Sequence, residues 1–399
     1  MSLNDTPSAN RIHIGFFGMR NAGKSSVVNA VTGQALSLVS DIKGTTTDPV
    51  SKAMELLPLG PVVIIDTPGF DDSGTLGEMR VKRTKETLAK TDIAVLVVDV
   101  TAGLTENDTE LTELFEERKI PYIIAYNKCD LIENLPEAES NEIYISAVKN
   151  TNIYELKELI SSLASKAVTQ RSLISDLIGK DDTVILVTPI DESAPKGRMI
   201  LPQVQMIRAI LDSDGINIVA KETQLQKVLE AVKNPKMVIT DSQAFETVAK
   251  IVPEEIPLTS FSIMYARYKG NLDSLVKGAV KLDNINDGDK ILISEGCTHH
   301  RQCQDIGTVK MPSWIEEYTG KKPQFEFTSG NEFPDDLSKY SLVVHCGGCM
   351  LNEREMTSRV SRCENCGAPV TNYGMAIAKM KGILDRSLSP FKKDFDDIT

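Results

Sequence analysis

The sequence predicts an α/β protein in three domains, each built on a mostly parallel sheet. Three observations carry that expectation. Short apolar runs rich in β-branched residues alternate with amphipathic helical patterns along most of the chain. Those runs are continuous rather than alternating, as strands covered on both faces by helices are. The length, 399 residues, exceeds what a single core of ordinary size supports. The expected boundaries are 1–172, 173–268 and 269–399.

In the first part "IHIGFFG" reads as a strand and "KSSVVNAVTG" as a helix stopped by Gly33. "VVIIDTPG", "IAVLVVDV", "PYIIAYNKCD" and "NEIYISA" are further strands, each running into polar or turn residues. "EMRVKRTKETLAKT" and "ENDTELTELFEERK" have helical patterns between them, and "NIYELKELISSLASKA" closes the unit near residue 170. The second part repeats the style. "DTVILVTPID" is a strand, and "PQVQMIRAILDSDG" is a helix with Gly215 as its expected stop. "INIVAK", "QLQKVLEAVKN", "PKMVITDS", "AFETVAKIVP" and "PLTSFSIMYARY" continue the alternation. The last part holds "KILISEGCTHH", "LVVHCGGCM" and "VTNYGMAIAKMKGIL". Both of its cysteine groups follow an apolar strand, the end of an open α/β sheet where ligands bind.

Composition narrows the function. The chain is 41% hydrophobic and 25% charged, with a net charge of −12. That balance disfavours a general nucleic-acid or anionic-membrane binder. No apolar run approaches the roughly 18 residues needed to cross a bilayer. The start "MSLNDTPSAN" lacks a basic stretch followed by an apolar one, so a cytoplasmic location is expected. Seven cysteines without a secretory signal do not read as a disulfide framework. Six of them, and three of the four histidines, lie between Cys297 and Cys366. Soft ligands gathered in one segment suggest a metal or a cluster.

Gly18-Met-Arg-Asn-Ala-Gly23-Lys24-Ser25 fits G-x-x-x-x-G-K-[ST] between a strand and a helix. The glycines let the loop wrap a phosphate with its N–H groups inward, and the helix adds its positive end. Gly18, Asn21, Ala22, Gly23, Lys24, Ser25 and Ser26 would line the nucleotide, Lys24 on the β- and γ-phosphates and Ser25 on Mg²⁺. In "VVIIDTPG", Asp66 ends a strand where it can hold Mg²⁺ through water, and Gly69 can approach the γ-phosphate. One of Thr45, Thr46 and Thr47 should complete the Mg²⁺ shell. "NKCD" supplies Asn127, Lys128 and Asp130. The Asp130 carboxylate matches the paired donors of guanine, which adenine lacks. Lys128 would pack on the base, and Ser146 and Ala147 of "YISA" give a further base contact.

"GMRNAGKSS", "GTTTD", "DTPG", "NKCD" and "SA" together resemble the GTPase domain of the tRNA-modification and ribosome-assembly class. That resemblance implies Thr46 on Mg²⁺, and Asn21 helping to hold a K⁺ ion in place of an arginine finger. The sequence departs from the class at Thr47, where an arginine is usual, and at "SAV", where "SAK" is usual. Phe70 follows "DTPG" instead of a water-orienting glutamine, so slow hydrolysis of GTP, accelerated by K⁺, is expected.

Cys297-x-His299 is followed, after 45 intervening residues, by His345-Cys346-Gly-Gly-Cys349. Three cysteines are one short of the usual four for a [4Fe–4S] cluster and would leave one iron open. His299, His345 or a carboxylate could occupy it, and Asp191 in "PIDESAPKGR" is a further candidate. The rival reading is a zinc ribbon, with Cys346-x-x-Cys349 and Cys363-x-x-Cys366 separated by 13 residues. The residues alone leave both open. Cys129 reads as a buried residue of the guanine loop, His13 as part of the first strand, and His300 and Cys303 as bystanders.

The whole arrangement, GTPase motifs followed by C-x-H, H-C-x-x-C and "TNYG", resembles the GTPase that takes part in maturing [FeFe]-hydrogenase. The resemblance spans essentially the whole chain. It implies a GTPase domain, a dimerisation domain and a cluster-binding domain in a likeness of homodimeric form, with Cys297, Cys346 and Cys349 as [4Fe–4S] ligands. It also implies delivery of a diiron subcluster precursor to the apo-[FeFe]-hydrogenase, alongside two radical-SAM enzymes. "CENC" lies outside the pattern and leaves a second metal or alternative thiolates open. Two other functions compete: a ribosome- or RNA-associated GTPase with a structural zinc ribbon, and a redox enzyme. The acidic balance, scarce aromatics and lack of a basic stripe disfavour the first, and the incomplete cysteine set and missing flavin or nicotinamide motif disfavour the second.

Overall fold

The computed structural model describes residues 8–33, 50–67, 83–167, 171–189, 199–269, 272–296, 305–330 and 332–394. The chain divides into two compact units, Met1–Gln170 and Arg171–Thr399.

In the first unit, strand β1 (Ile12–Phe17) leads through the glycine loop to helix α1 (Lys24–Thr32). Gly33 ends that helix in the left-handed region and donates its N–H to Asn29 O at 2.9 Å. Strands β2 (Val50–Leu56) and β3 (Gly60–Asp66) follow, then a helical stretch over 83–88 and strand β4 (Ile93–Asp99). Helix α2 (Glu106–Glu117) starts at a capping box, in which Thr105 and Asp108 satisfy each other's main-chain N–H groups. Strand β5 (Tyr122–Asn127), strand β6 (Glu142–Tyr144) and helix α3 (Ile153–Ala167) complete the unit.

The sheet order is β2-β3-β1-β4-β5-β6, and every pairing is parallel except that of β2 with β3. The continuous apolar runs serve two cores. In β4, Ile93, Val95 and Val97 face one core with Ile14, Val27 and Leu156, while Ala94, Leu96 and Val98 face the other with Phe17 and Phe115. All parallel strands therefore end on the same side of the sheet, where the nucleotide motifs lie.

The second unit carries two sheets. The first comprises β7 (Thr183–Val187), α4 (Leu201–Asp212), β8 (Ile216–Ala220), α5 (Leu225–Ala231), β9 (Met237–Thr240), α6 (Phe245–Ile251), β10 (Leu258–Ser260) and α7 (Phe261–Tyr268). Its order is β10-β9-β7-β8, all parallel, so β8 is an edge strand. The stop of α4 differs from the expectation in detail: Asp214, at φ 56°, takes the left-handed conformation, and Gly215 follows it.

The second sheet comprises α8 (Leu272–Val280), β11 (Lys290–Glu295), α9 (Met311–Thr319), β12 (Gln324–Ser329), β13 (Leu342–His345), α10 (Glu353–Asn365), β14 (Val370–Asn372), α11 (Tyr373–Met380) and α12 (Leu384–Leu388). Its order is β12-β11-β13-β14, again all parallel. One buried cluster runs through both sheets of this unit. Ile239, Phe245 and Met264 of the first share it with Leu275, Leu292, Val343 and Met375 of the second. Among the described residues no helix is long and apolar enough to cross a membrane.

Candidate functional site

The phosphate loop connects β1 to α1. Gly18 (φ 133°) and Gly23 (φ 91°) both lie in the region closed to most side chains. A Cβ at Gly18 would stand 2.2 Å from Val97 O, and one at Gly23 would stand 2.3 Å from Asn127 Nδ2. Space as well as backbone conformation therefore demands glycine at both positions. Asn21 also has a positive φ, 65°, and an exposed side chain.

Lys24, 8% exposed, donates to Gly18 O at 2.9 Å and Met19 O at 2.8 Å, which lays its ammonium group along the concave side of the loop. Ser25 Oγ donates to Asp66 Oδ2 at 2.8 Å, so the two expected Mg²⁺ residues meet at the ends of α1 and β3. Burial raises the Asp66 pKa above the usual carboxylate range, against the Ser25 hydrogen bond and the Lys24 charge. A divalent cation between these oxygens would offset that burial cost. Ser26 is exposed on the first turn of α1.

Asn127, buried at the end of β5, ties the site together. Its Nδ2 donates to Ala22 O at 3.0 Å and its Oδ1 accepts from Ala147 N at 3.1 Å. One amide thus fixes the phosphate loop to the loop after β6. Lys128, at φ 67°, pairs with Asp99 at the end of β4, and Asp99 also accepts from Thr101. Asp99 is a partner that motif matching did not supply. Its signal was a carboxylate closing an apolar strand. Asp130 is exposed and Cys129 buried in the following turn, and Ser146 is buried beside Ala147. Asn21, Ala22, Gly23, Lys24, Ser25, Asp66, Asn127, Lys128, Asp130 and Ala147 thus sit at or just beyond the ends of β1, β3, β5 and β6, with Lys24 and Ser25 on the first turn of α1. Thr46 and Gly69 lie outside the described residues.

The second candidate site lies at the ends of β11 and β13. Their register pairs Ser294 with His345, which carries Gly296 alongside Cys346. Cys346 N donates to Ser294 O at 2.9 Å. Two main-chain N–H groups point at the Cys346 sulfur, Gly296 N at 3.1 Å and Gly348 N at 3.4 Å. Cys346 and Cys349 are both partly exposed free thiols on one turn. Burial pushes both thiols up in pKa; the two N–H groups oppose this at Cys346 and the Lys269 charge opposes it at Cys349. Lys269 is 5% exposed, and its Nζ donates to Gly348 O and, at 3.0 Å, to Leu351 O. Burial lowers its pKa to about 8.

Two thiols on one turn, N–H groups aimed at sulfur and a buried cation beside them suit a thiolate-bound centre such as an iron–sulfur cluster. Cys297, His299 and Asp191 lie outside the described residues, as do His300 and Cys303. Among the described residues no three His, Cys, Asp or Glu side chains converge as a metal site.

One expectation is corrected here. His345 is not available as a ligand. Its ring is 1% exposed, with Nδ1 at 2.8 Å from Cys346 O and Nε2 at 3.1 Å from Arg359 Nη1. A guanidinium only donates, so Nε2 is the acceptor and Nδ1 carries the proton that goes to the carbonyl. Burial, with the Arg359 charge, lowers the His345 pKa to about 3. In the zinc-ribbon alternative Cys363 would be a ligand; it is fully buried within the apolar core, its thiol pushed up to about 12 by burial, and among the described residues it joins no metal group with Cys346 and Cys349. A thiol on the inward face of α10 packs as a small apolar side chain.

Comparison with known proteins bears on both sites. Residues 13–128 match the model described as a 50S ribosome-binding GTPase, residues 173–270 the hydrogen maturase F dimerization domain, and residues 273–390 the hydrogen maturase F tetramerization domain. Among curated relatives, tRNA modification GTPase MnmE of Clostridioides difficile is 33% identical over 157 residues, 37% of this chain and 34% of that protein. GTPase Der of Maridesulfovibrio salexigens is 40% identical over 129 residues, 31% of this chain and 28% of that protein. The chain thus spans about a third of the length of the curated relatives it matches. A solved structure titled as a probable GTP-binding protein engB is 28% identical, covering 39% of this chain and 99% of that one, with a TM-score of 0.32. The first part of the chain is a P-loop GTPase domain.

Proposed function

The chain belongs to the hydrogen maturase F family, and from that membership we propose that it is a GTP-hydrolysing scaffold that binds a [4Fe–4S] cluster and carries the diiron precursor to apo-[FeFe]-hydrogenase. Two radical-SAM maturation enzymes are its proposed co-workers, and the cytoplasm its proposed place.

The observation that carries the cluster reading is the pairing of β11 with β13. It sets a main-chain N–H from Gly296, the residue before Cys297, on the Cys346 sulfur. Cys297, Cys346 and Cys349 are the proposed ligands, and the group would supply an iron with an open position. His299 and Asp191 remain the proposed sources of a fourth ligand.

In the GTPase domain the proposed roles come from the motifs. Lys24 exchanges its loop carbonyls for phosphate oxygens. Ser25 and Asp66, with Thr46, hold Mg²⁺, and Gly69 senses the γ-phosphate. Asp130 reads the guanine edge, and Asn21 supports K⁺. Loops that respond to the γ-phosphate would time contacts with partners.

Self-association is supported by the edge strand β8, where Ile216 and Val219 are 47% and 43% exposed. Helix α4 leaves Val204 and Leu211 exposed as well. An uncovered apolar edge favours pairing with a second copy, and a two-fold axis would make that pairing antiparallel.

The test is metal and sulfide analysis after anaerobic reconstitution of the wild type, Cys297→Ala and Cys346→Ala. Roughly four irons and four sulfides per wild-type chain, with the spectrum lost or sharply weakened in both variants, is the expected result. Zinc without sulfide would overturn the reading. GTP turnover in KCl against NaCl tests the K⁺ role, and equal rates would remove it.

A further inference from the structure

Lys269 stands at the end of α7, in the first sheet's half of the second unit, yet its ammonium group reaches the cysteine turn of the other half. Both of its hydrogen bonds go to main-chain carbonyls, Gly348 O and Leu351 O, which bracket Cys349. The neighbouring carboxylates are engaged elsewhere: Glu353 with Arg171 at 3.4 Å, Glu355 with Arg359 at 2.9 Å. Among the described residues no carboxylate forms an ion pair with Lys269. The centre of the Tyr265 ring, one turn back on α7, lies 5.9 Å from its nitrogen, which faces the ring.

A buried ammonium is costly unless negative charge lies near it, and the carboxylates of Glu353 and Glu355 act on this one only after Cys349 and Cys346. The larger part of the balance would come from negative charge on Cys349 and Cys346. Carbonyl partners alone orient the side chain without neutralising it.

We propose that Lys269 is the positioning cation of the cysteine site. It ties down the turn that carries Cys346 and Cys349, and its charge offsets the negative charge of the thiolate-bound group that the turn receives. The inference rests on the cluster reading above and adds a residue to it from outside the C-x-H and H-C-x-x-C pattern. A fixed positive charge beside a thiolate-bound cluster favours the reduced, more negative state, so its removal lowers the midpoint potential.

Two variants separate the tether from the charge. Lys269→Gln keeps a donor for the carbonyls and drops the charge. Lys269→Met drops both. Each full-length chain is purified anaerobically, checked for fold by circular dichroism and reconstituted with iron and sulfide. In a second measurement, the metal-free chains are alkylated with iodoacetamide at one fixed pH and Cys349 is quantified by peptide mass.

The expected results are a Lys269→Gln chain with a more negative potential than the wild type and at least threefold slower alkylation of Cys349, and a Lys269→Met chain that takes up less than half the wild-type iron. If Lys269→Met does not fold, Lys269→Gln carries the test. If Lys269→Gln folds but does not load, alkylation decides. A folded Lys269→Gln chain with wild-type alkylation, and with wild-type potential where loaded, overturns the inference and leaves the cluster reading standing. A wild-type chain that takes up no iron and sulfide overturns the cluster reading first, and this inference with it.

Discussion

Single groups decide the chemistry of both sites. Asp130 presents an exposed carboxylate after β5, the proposed acceptor for two donors on guanine. Asp130→Asn is expected to weaken GTP binding on the order of 100-fold, since two charge-assisted hydrogen bonds are lost. It should also improve relative binding of xanthosine triphosphate, whose extra carbonyl suits an amide donor; competition binding of the two nucleotides checks both effects. His345 carries a different kind of prediction. Its ring stays neutral in the folded chain down to about pH 3, whereas the unfolded chain protonates it near 6.5. The folded pKa is depressed, so its contribution is fully present above pH 6.5 and declines as pH falls from 6.5 toward 3. On the order of a few kcal/mol is at stake across that window. Urea midpoints of the metal-free chain at pH 7, 5 and 4 should fall more steeply in the wild type than in His345→Gln. A matching slope would place the acid sensitivity elsewhere.

At the level of elements, β8 is the strand to perturb. Placing charge on an exposed edge blocks strand pairing between copies at little cost to the folded chain. Val219→Lys is therefore expected to shift sedimentation velocity toward a smaller species while leaving GTP turnover unchanged. The central strands of all three sheets were legible in the sequence because burial on both faces writes a continuous apolar run. The edge strands β2, "VSKAMEL", and β12, "QFEFTS", were not, because one-sided exposure admits polar residues and breaks the run. Strand β10 and helix α7 merged into one apolar stretch, "PLTSFSIMYARY"; Ser260, whose side chain caps α7, is the boundary between them. The phosphate loop could be read because its residues are consecutive. Lys269 and Arg359 could not, since each reaches its partners across a turn or a domain: Lys269 to Leu351, Arg359 to Gly330. No local pattern marks a lysine that pairs with carbonyls 79 and 82 positions away.

Across the whole molecule, the two units make different predictions about dissection. Met1–Gln170 owns two cores of its own, so this fragment is expected to fold and to hydrolyse GTP within roughly threefold of the full chain. The second unit should not divide in the same way. Phe245 and Met264 share one core with Leu275 and Met375, so a cut near residue 270 would bare apolar surface on both products. Separately expressed halves are expected to be aggregated or rapidly proteolysed, and the joined fragment 171–399 monodisperse. Stable separate halves would count against the shared core.

The edge at β8 has one more consequence, in stoichiometry. If two copies join there, every particle presents two cysteine turns held at a fixed separation by a continuous sheet. Such a particle is bivalent toward any partner that is itself paired. Its apparent affinity for a two-fold symmetric acceptor would exceed that for a single acceptor chain, without any new contact at either docking point.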